Sequence, residues 1–274
     1  MGGMSQSERV ASFHALHESG CFVIPNPWDA GTAVALEQMG FLALATTSAG
    51  LAWSLGRADN QITLAVELDH LRAVCAAVSI PVNADFEGGF AVEPDGVAAN
   101  VTAAIETGIA GLSIEDSTRD ADAPLLDLPL AVERIRAARA AIDASGTGVI
   151  LVGRSEGYVV GRPDLDDTIR RLVAYSEAGA DCLYAPRLRT ADEIRAVVEA
   201  VAPKPVNVLA GSEVASVGDM AALGVRRISV GGQLARAAWA GFLAAATEIA
   251  EAGTFGWLEH ATPGADLDAR FSED

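Results

Sequence analysis

An α/β fold, a closed (β/α)8 barrel, is predicted by three features of this sequence. Eight short β-type runs alternate with longer amphipathic ones, and most of these runs are continuously apolar, as strands covered on both faces should be. Glycine or proline then punctuates most of the joints. The strands are expected at 21–26, 43–47, 81–86, 111–116, 149–154, 182–186, 205–209 and 227–230. The first helix of the alternation, 30–39, starts after Asp29, a residue able to cap free N–H groups, and stops at Gly40. Helix 66–78 follows, and 94–107 ends at Gly108. Helix 129–144 carries Pro129 at an early position and Gly146 just past its end. Helix 165–178 ends at Gly179, 191–201 ends before Pro203, and 214–223 ends at Gly224. The last core helix, 234–252, ends at Gly253, and His14 and His17 fall on a further helix ahead of the first strand.

The chain has 274 residues, and a barrel of this kind occupies roughly 250 as one domain. No linker-like stretch divides it, so residues 1–274 are expected to form one domain. Residues 251–274 would form a tail that packs on the barrel or on a neighbouring subunit, because Trp257, Leu258 and Phe271 stand there among charges. Nineteen Lys and Arg against 37 Asp and Glu leave a net charge of −18. That balance argues against nucleic acid, whose phosphates need clustered cations, and against an anionic membrane surface. No apolar run approaches the ~20 residues of a spanning helix, and residues 1–9 show no basic-then-apolar leader. Three scattered cysteines, Cys21, Cys75 and Cys182, suit a reducing compartment. A cytoplasmic protein is expected.

Barrel chemistry sits at the C-terminal strand ends and in the loops behind them. Asp59, Asp85, Glu87 and Glu115 would converge there, with Arg154 beside them and Asn207 within strand seven. Four carboxylates in a confined mouth repel one another unless a cation neutralises them, and a hard divalent ion with oxygen ligands answers that conflict. Mg2+ fits best and Mn2+ is the alternative. The four histidines, His14, His17, His70 and His260, fall away from the strand ends, so zinc and a histidine triad are not expected. Gly231-Gly232, after strand eight, reads as a tight turn, with a phosphate-cradling turn as the other possibility.

With these residues in view, the chain resembles the isocitrate lyase/phosphoenolpyruvate mutase superfamily from about residue 20 to residue 253. Thr47-Ser48-Ala49-Gly50 and Leu55-Gly56-Arg57-Ala58-Asp59 look like its substrate-binding loop and loop aspartate. Residues 81–90, reading Pro-Val-Asn-Ala-Asp-Phe-Glu-Gly-Gly-Phe, look like its metal strand, though the family more often has Asp at the Glu87 position. Ile114-Glu115-Asp116, Gly153-Arg154-Ser155-Glu156 and Pro205-Val206-Asn207 match further strand ends, with Glu156 standing where Asp is usual. The resemblance implies Mg2+-dependent bond making or breaking beside a 2-oxo carboxylate. By it Asp85 would be the nearest metal ligand, and Asp59, Glu87 and Glu115 would hold the metal's waters. Ser48, Ala49, Gly50 and Leu51 would present N–H groups and side-chain atoms to the substrate carboxylate, and Arg154 would grip its oxygens. Asp59, Glu115 and Arg154 are thus the expected catalytic residues; Ser48, Ala49, Gly50, Leu51, Asp85, Arg154 and Asn207 the expected substrate contacts.

Two departures narrow the expectation. The lyase branch carries Lys-Lys-Cys-Gly-His in the loop after strand four, whereas residues 117–124 here contain neither Cys nor His. Pro186 stands where mutase-type members carry His and lyase-type members Glu. What remains is a lyase acting on a small 2-oxo or 2-hydroxy dicarboxylate through an enolate, with oxaloacetate-like decarboxylation first because it needs no cysteine base. C–P or C–C cleavage of a phosphonopyruvate-, alkylmalate- or methylisocitrate-like substrate is the alternative, and a 2-oxo acid-binding protein without turnover is the non-enzyme reading. Family members exchange their last barrel helix between subunits, and the apolar residues of 234–250 suit such an interface, so a homo-oligomer, dimer or tetramer, is expected.

Overall fold

The computed structural model describes residues 4–211, 213, 214 and 216–272. Helix α1 (Gln6–Glu18) is started by a capping box in which Ser5 and Glu8 satisfy each other's backbone donors. It crosses the N-terminal end of the barrel. Fully buried Phe13 lies so near strand Gly111–Glu115 that a Cβ on Gly111 would come within 2.7 Å of its ring. His17, on the same helix, bonds through Nδ1 to the Phe13 carbonyl at 2.7 Å and leaves Nε2 buried without a partner. Burial, then the charge of Arg227, lowers its pKa to about 3.

Eight parallel strands follow: β1 (Phe22–Ile24), β2 (Leu44–Ala45), β3 (Val82–Asp85), β4 (Gly111–Glu115), β5 (Ile150–Arg154), β6 (Cys182–Tyr184), β7 (Val206–Leu209) and β8 (Arg227–Ser229). Ladders join them in the order β1-β8-β7-β6-β5-β4-β3-β2. The ring closes just past β1, where the Ala45 amide donates to the Pro25 carbonyl at 3.0 Å. The helices are α2 (Ala30–Gln38), α3 (Ser48–Ser54), α4 (Leu64–Ala77), α5 (Pro94–Ile105), α6 (Leu128–Ser145), α7 (Leu165–Glu177), α8 (Ala191–Val201), α9 (Val217–Ala222), α10 (Gln233–Ala252) and α11 (Gly264–Phe271). This is the (β/α)8 barrel, with each strand a short, doubly covered apolar run.

Local chemistry sets the boundaries. Asp29 caps α2 by accepting from the Thr32 amide at 2.7 Å, and Gly146, at φ +67°, stops α6. Helix α9 starts at Val217 behind Ser216, later than the predicted 214, and residue 215 of that predicted helix lies outside the described residues. Helix α3 was not legible as a helix. Thr47 starts it by accepting from the Gly50 amide, and Gly50 is required there, since a Cβ would meet Thr47 Cγ2 at 2.7 Å and Trp28 Cβ at 2.9 Å.

Helix α10 buries only Ala235 and leaves Trp239, Phe242, Leu243 and Ile249 exposed. A 310 turn (Gly256–His260) folds back on α10 through Glu248, which accepts from the Trp257 amide at 2.7 Å. Helix α11 lies on α2, with the Gln38 amide donating to the Arg270 carbonyl at 2.6 Å. Residues 273 and 274 of the predicted tail lie outside the described residues. Among those described, no helix is long and apolar enough to cross a membrane.

Candidate active site

Parallel register brings one charged residue from each of three neighbouring strands to the same level. Glu115 pairs with Arg154 across β4 and β5, Arg154 pairs with Tyr184 across β5 and β6, and Asp85 ends β3. Arg154 stands within this group rather than beside it. Its Nη1 donates to Asp85 Oδ1 at 2.9 Å and lies 3.3 Å from Glu115 Oε2, while Nε donates to Glu156 Oε1 at 2.5 Å. The guanidinium carbon sits 5.3 Å from the centroid of the Tyr184 ring, a cation–π contact. Nη2 has no protein partner among the described residues. The other Asp85 oxygen accepts from both the amide and the hydroxyl of Ser48, at 3.0 and 2.9 Å.

Glu87 follows β3 and is almost wholly buried. Its Oε2 pairs with Arg119 from the loop behind β4, and its Oε1 has no partner. Arg119 Nη1 also donates to the Asn60 carbonyl at 3.2 Å, so one side chain ties the β4 loop to the segment that carries Asp59. Asn60, Glu87, Phe90, Arg119 and Arg187 all hold positive φ. Such backbone costs a non-glycine residue of order 1 kcal/mol and gathers at functional sites; here all five belong to the loops behind the barrel's C-terminal strand ends.

A buried scaffold holds these loops. Arg134 on α6 donates to the carbonyls of Glu115 and Ala91, at 3.1 and 3.0 Å, and to that of Gly88. Asp116 accepts from Arg171 at 3.1 Å, from the Tyr175 hydroxyl at 2.6 Å and from the Glu156 amide at 2.8 Å. Farther down the barrel axis Arg227, buried and free of any carboxylate partner among the described residues, donates to Asn207 Oδ1 at 3.0 Å and to Asn83 Oδ1 at 3.3 Å.

Electrostatics are dominated by an excess of acid. Asp59, Asp85, Glu87, Glu115 and Glu156 share two guanidinium groups, those of Arg154 and Arg119. Burial raises Glu87 to about 7, with the charge of Asp85 adding to the rise and Arg119 opposing it. Burial and then the neighbouring carboxylates hold Glu115 well above the usual range despite Arg154, and Glu156 is raised for the same reasons. Asp59 is pushed up by burial and by Asp85. Arg154 is held well above its ordinary value by Glu156, Glu115 and Asp85, against its own burial. No three metal-ligating side chains among the described residues are grouped to hold a metal ion as they stand. The donor chemistry nevertheless fits a hard divalent cation: the groups are oxygen donors, they carry surplus negative charge, and one buried oxygen of Glu87 is unpartnered.

A chamber of about 200 Å3 opens above this group. Ser48, Ala49, Asp59, Asp85, Arg154 and Asn207 line it, whereas Glu87 and Glu115 lie behind its wall. Gly50 and Leu51 do not reach it, since their amides bond to Thr47. Asn207 is fully buried and bridges Arg227 and Ser229. Gly231 forms a tight turn at φ +54°, and its amide is taken by Asn26 Oδ1 at 2.8 Å. The sequence reading missed Tyr184, Arg227, Asn26, Asn83 and Ser113, which also line the chamber. The signal was present as polar residues inside otherwise apolar strands, where a barrel interior needs partners for each of them.

The profile of the family described as phosphoenolpyruvate phosphomutase matches residues 13–250. An uncharacterised protein of Mycobacterium tuberculosis is 34% identical over 94% of this chain and 95% of its own. The crystal structure of a provisionally assigned lyase or mutase from Burkholderia cenocepacia is 50% identical, covers 98% of this chain and 97% of its own, and superposes with a TM-score of 0.94. An oxaloacetate decarboxylase of Bradyrhizobium diazoefficiens is 29% identical over 73% of this chain and 69% of its own. A phosphonopyruvate hydrolase, solved with oxalate and Mg2+, is 26% identical over 97% of this chain and 95% of its own, with a TM-score of 0.83.

Proposed function

The chain belongs to the phosphoenolpyruvate phosphomutase family, and from that premise we propose that it is a Mg2+-dependent lyase that decarboxylates a small 2-oxo dicarboxylate, oxaloacetate first, through an enolate. The observation that carries this reading is the charge pattern: Arg154 is held by three carboxylates with Nη2 left over, in a mouth holding more acid than its cations can neutralise. The oxaloacetate decarboxylase and the magnesium–oxalate complex among the similar proteins support the same class of ligand. A divalent cation, Mg2+ or alternatively Mn2+, would be held by Asp85 with Asp59, Glu87 and Glu115 around it, and supplies Lewis-acid stabilisation of the enolate when bound.

The protein's own groups do the rest. Nη2 of Arg154 grips the substrate's 2-oxo or carboxylate oxygen by a charge-assisted bond. The C3–C4 bond breaks, CO2 leaves, and the electron pair passes into the 2-oxo group. The carbanionic carbon then needs a proton. Tyr184 lines the chamber, and burial holds its phenol in the neutral form. Its oxygen accepts a long 3.5 Å contact from Ser229, so its own proton is uncommitted. The Ser48 hydroxyl, by contrast, already donates to Asp85. Tyr184 gives the proton and recovers one from solvent.

The test is CO2 release from four- and five-carbon 2-oxo dicarboxylates with Mg2+ and with a chelator, run beside phosphate release from phosphonopyruvate. Chelator-sensitive CO2 release is the expected result. Phosphate release would replace it with C–P cleavage, and tight binding of oxalate without turnover of either substrate would make the protein a binder. The exposed apolar face of α10 is proposed to be covered by a second copy of this chain.

A further inference from the structure

The small chamber opens sideways into a larger one of about 610 Å3, between the ends of β6, β7 and β8 and the first turn of α10. Asp59 and Arg187 belong to both linings, so the two spaces are continuous. Three arginines line the larger one: Arg187, Arg189 and Arg236. The chain is short of cations, with 19 Lys and Arg against 37 Asp and Glu, and around the barrel mouth Arg119 and Arg154 are already tied to carboxylates. These three are not: among the described residues none of their guanidinium groups makes an ion pair or a hydrogen bond, and Asp59 is the one carboxylate on the lining.

The segment that presents two of them is held firmly. Arg187 sits at φ +68°, Leu188 is 1% exposed, and Glu193 accepts from the amides of Arg189 and Thr190 at 2.7 and 3.0 Å. Strained backbone fixed by a buried neighbour on one side and a carboxylate clamp on the other is what a ligand-facing turn needs. Three unpaired guanidinium groups converging in a concave space favour a planar or tetrahedral oxyanion, which they bind bidentately.

We propose that the larger chamber is an anion subsite for a second acidic group of the substrate, a carboxylate or a phosphate remote from the reacting 2-oxo acid. The preferred substrate is then a longer acid than the four-carbon one that the small chamber alone calls for. This rests on the reading of the small chamber as a 2-oxo acid site, and the test keeps the two apart.

With Mg2+ present, calorimetry compares oxalate, which fills the small chamber alone, with 2-oxoadipate and with 2-oxohexanoate, the same chain length without the remote acid. Separately, and without metal, inorganic phosphate is titrated against the fluorescence of Trp53, which lines the larger chamber. The expected result is at least tenfold tighter binding of 2-oxoadipate than of 2-oxohexanoate. In the R187Q–R189Q double variant, both exposed positions, that gap falls below threefold, the phosphate signal weakens by a similar factor, and oxalate binding is unchanged. Phosphate loss without the 2-oxoadipate gap assigns the remote group as phosphate; the gap without a phosphate signal assigns it as carboxylate. Neither a gap nor a phosphate signal, or both persisting in the double variant, overturns the subsite. Failure of oxalate to bind the unaltered protein overturns the small-chamber reading instead, and the phosphate titration then decides the subsite by itself.

Discussion

Replacing Glu87 by Gln should make the metal-free protein more stable at neutral and alkaline pH, although it removes an ion pair. Glu87 is 1% exposed, has one unpartnered oxygen, and is raised from 4.5 to about 7 by burial first, with Asp85 adding to the rise and Arg119 opposing it. A carboxyl whose folded pKa lies above its unfolded value contributes its full stability below pH 4.5. That contribution is lost as pH climbs through 7, because the unfolded chain releases a proton that the folded one retains. At about 1.4 kcal/mol for each pH unit of displacement the loss reaches about 3 kcal/mol above pH 8. Glutamine keeps the shape and carries no charge, so the variant should escape most of that loss and gain about 2–3 kcal/mol at pH 8, falling to near zero at pH 4.5. Urea unfolding in EDTA at pH 4.5, 6, 7 and 8 measures it, with equal slopes confirming that the midpoint shift is stability. Added Mg2+ should narrow the gap by stabilising the natural protein more than the variant. A variant less stable than the natural protein at pH 8, or equally stabilised at every pH, would refute the reasoning that acid is in excess here.

Other consequences are checkable by simpler means. Tyr184→Phe should lower kcat by about 102-fold or more while KM changes little, since a general acid of this kind contributes 102 to 104; an unchanged kcat in steady-state assays removes Tyr184 as the proton source. Phe242→Glu with Leu243→Glu, at positions 61% and 53% exposed, should give a monomer in light scattering if a second copy covers α10, and a natural protein that is itself monomeric ends that proposal. His17 behaves with the opposite sign to Glu87. Its pKa is lowered from 6.5 to about 3, so its contribution is whole above pH 6.5 and is lost as pH falls toward 3. His17→Phe, which keeps the edge-to-face packing against Phe13 and Phe22, should therefore retain about 2–3 kcal/mol more of its neutral-pH stability at pH 4 than the natural protein does, by urea unfolding.

The barrel was legible because it is written in a simple alphabet. Doubly buried strands must be apolar throughout, and helix ends must be capped, so 182–186 announced β6 and Asp29 announced α2. The strand-end acids were legible for the same reason: Asp85 and Glu115 interrupt apolar runs where nothing but a site explains them. Helix α3 was not, since Ser48-Ala49-Gly50 has poor helix propensity and is held by the Thr47 cap and by close packing under Trp28. Nor was the scaffold. Arg134 and Arg171 look like surface charges on amphipathic helices, and only the tertiary fold turns them inward onto the Glu115 and Leu126 carbonyls. Position along the chain cannot say that a guanidinium stands in the middle of its carboxylates rather than beside them.

The two departures from the family pattern, Glu at 87 and at 156, make one physical point. Each adds a methylene to a side chain that aspartate would end sooner, and each longer arm is the one that meets an arginine: Glu87 takes Arg119 and Glu156 takes Nε of Arg154. Arg119 lies in the same loop that lacks the cysteine and histidine of the lyase branch. The loop therefore brings a cation rather than a proton-transfer group, and it brings it to a carboxylate of the metal set. Glu156 does the complementary thing, holding Arg154 from the far side while Asp85 and Glu115 share Nη1, so that Nη2 alone is left for a ligand. A site arranged this way is suited to gripping and polarising an oxyanion more than to shuttling protons through its loop. That favours a reaction in which bond breaking expels CO2 and one proton finishes the turnover.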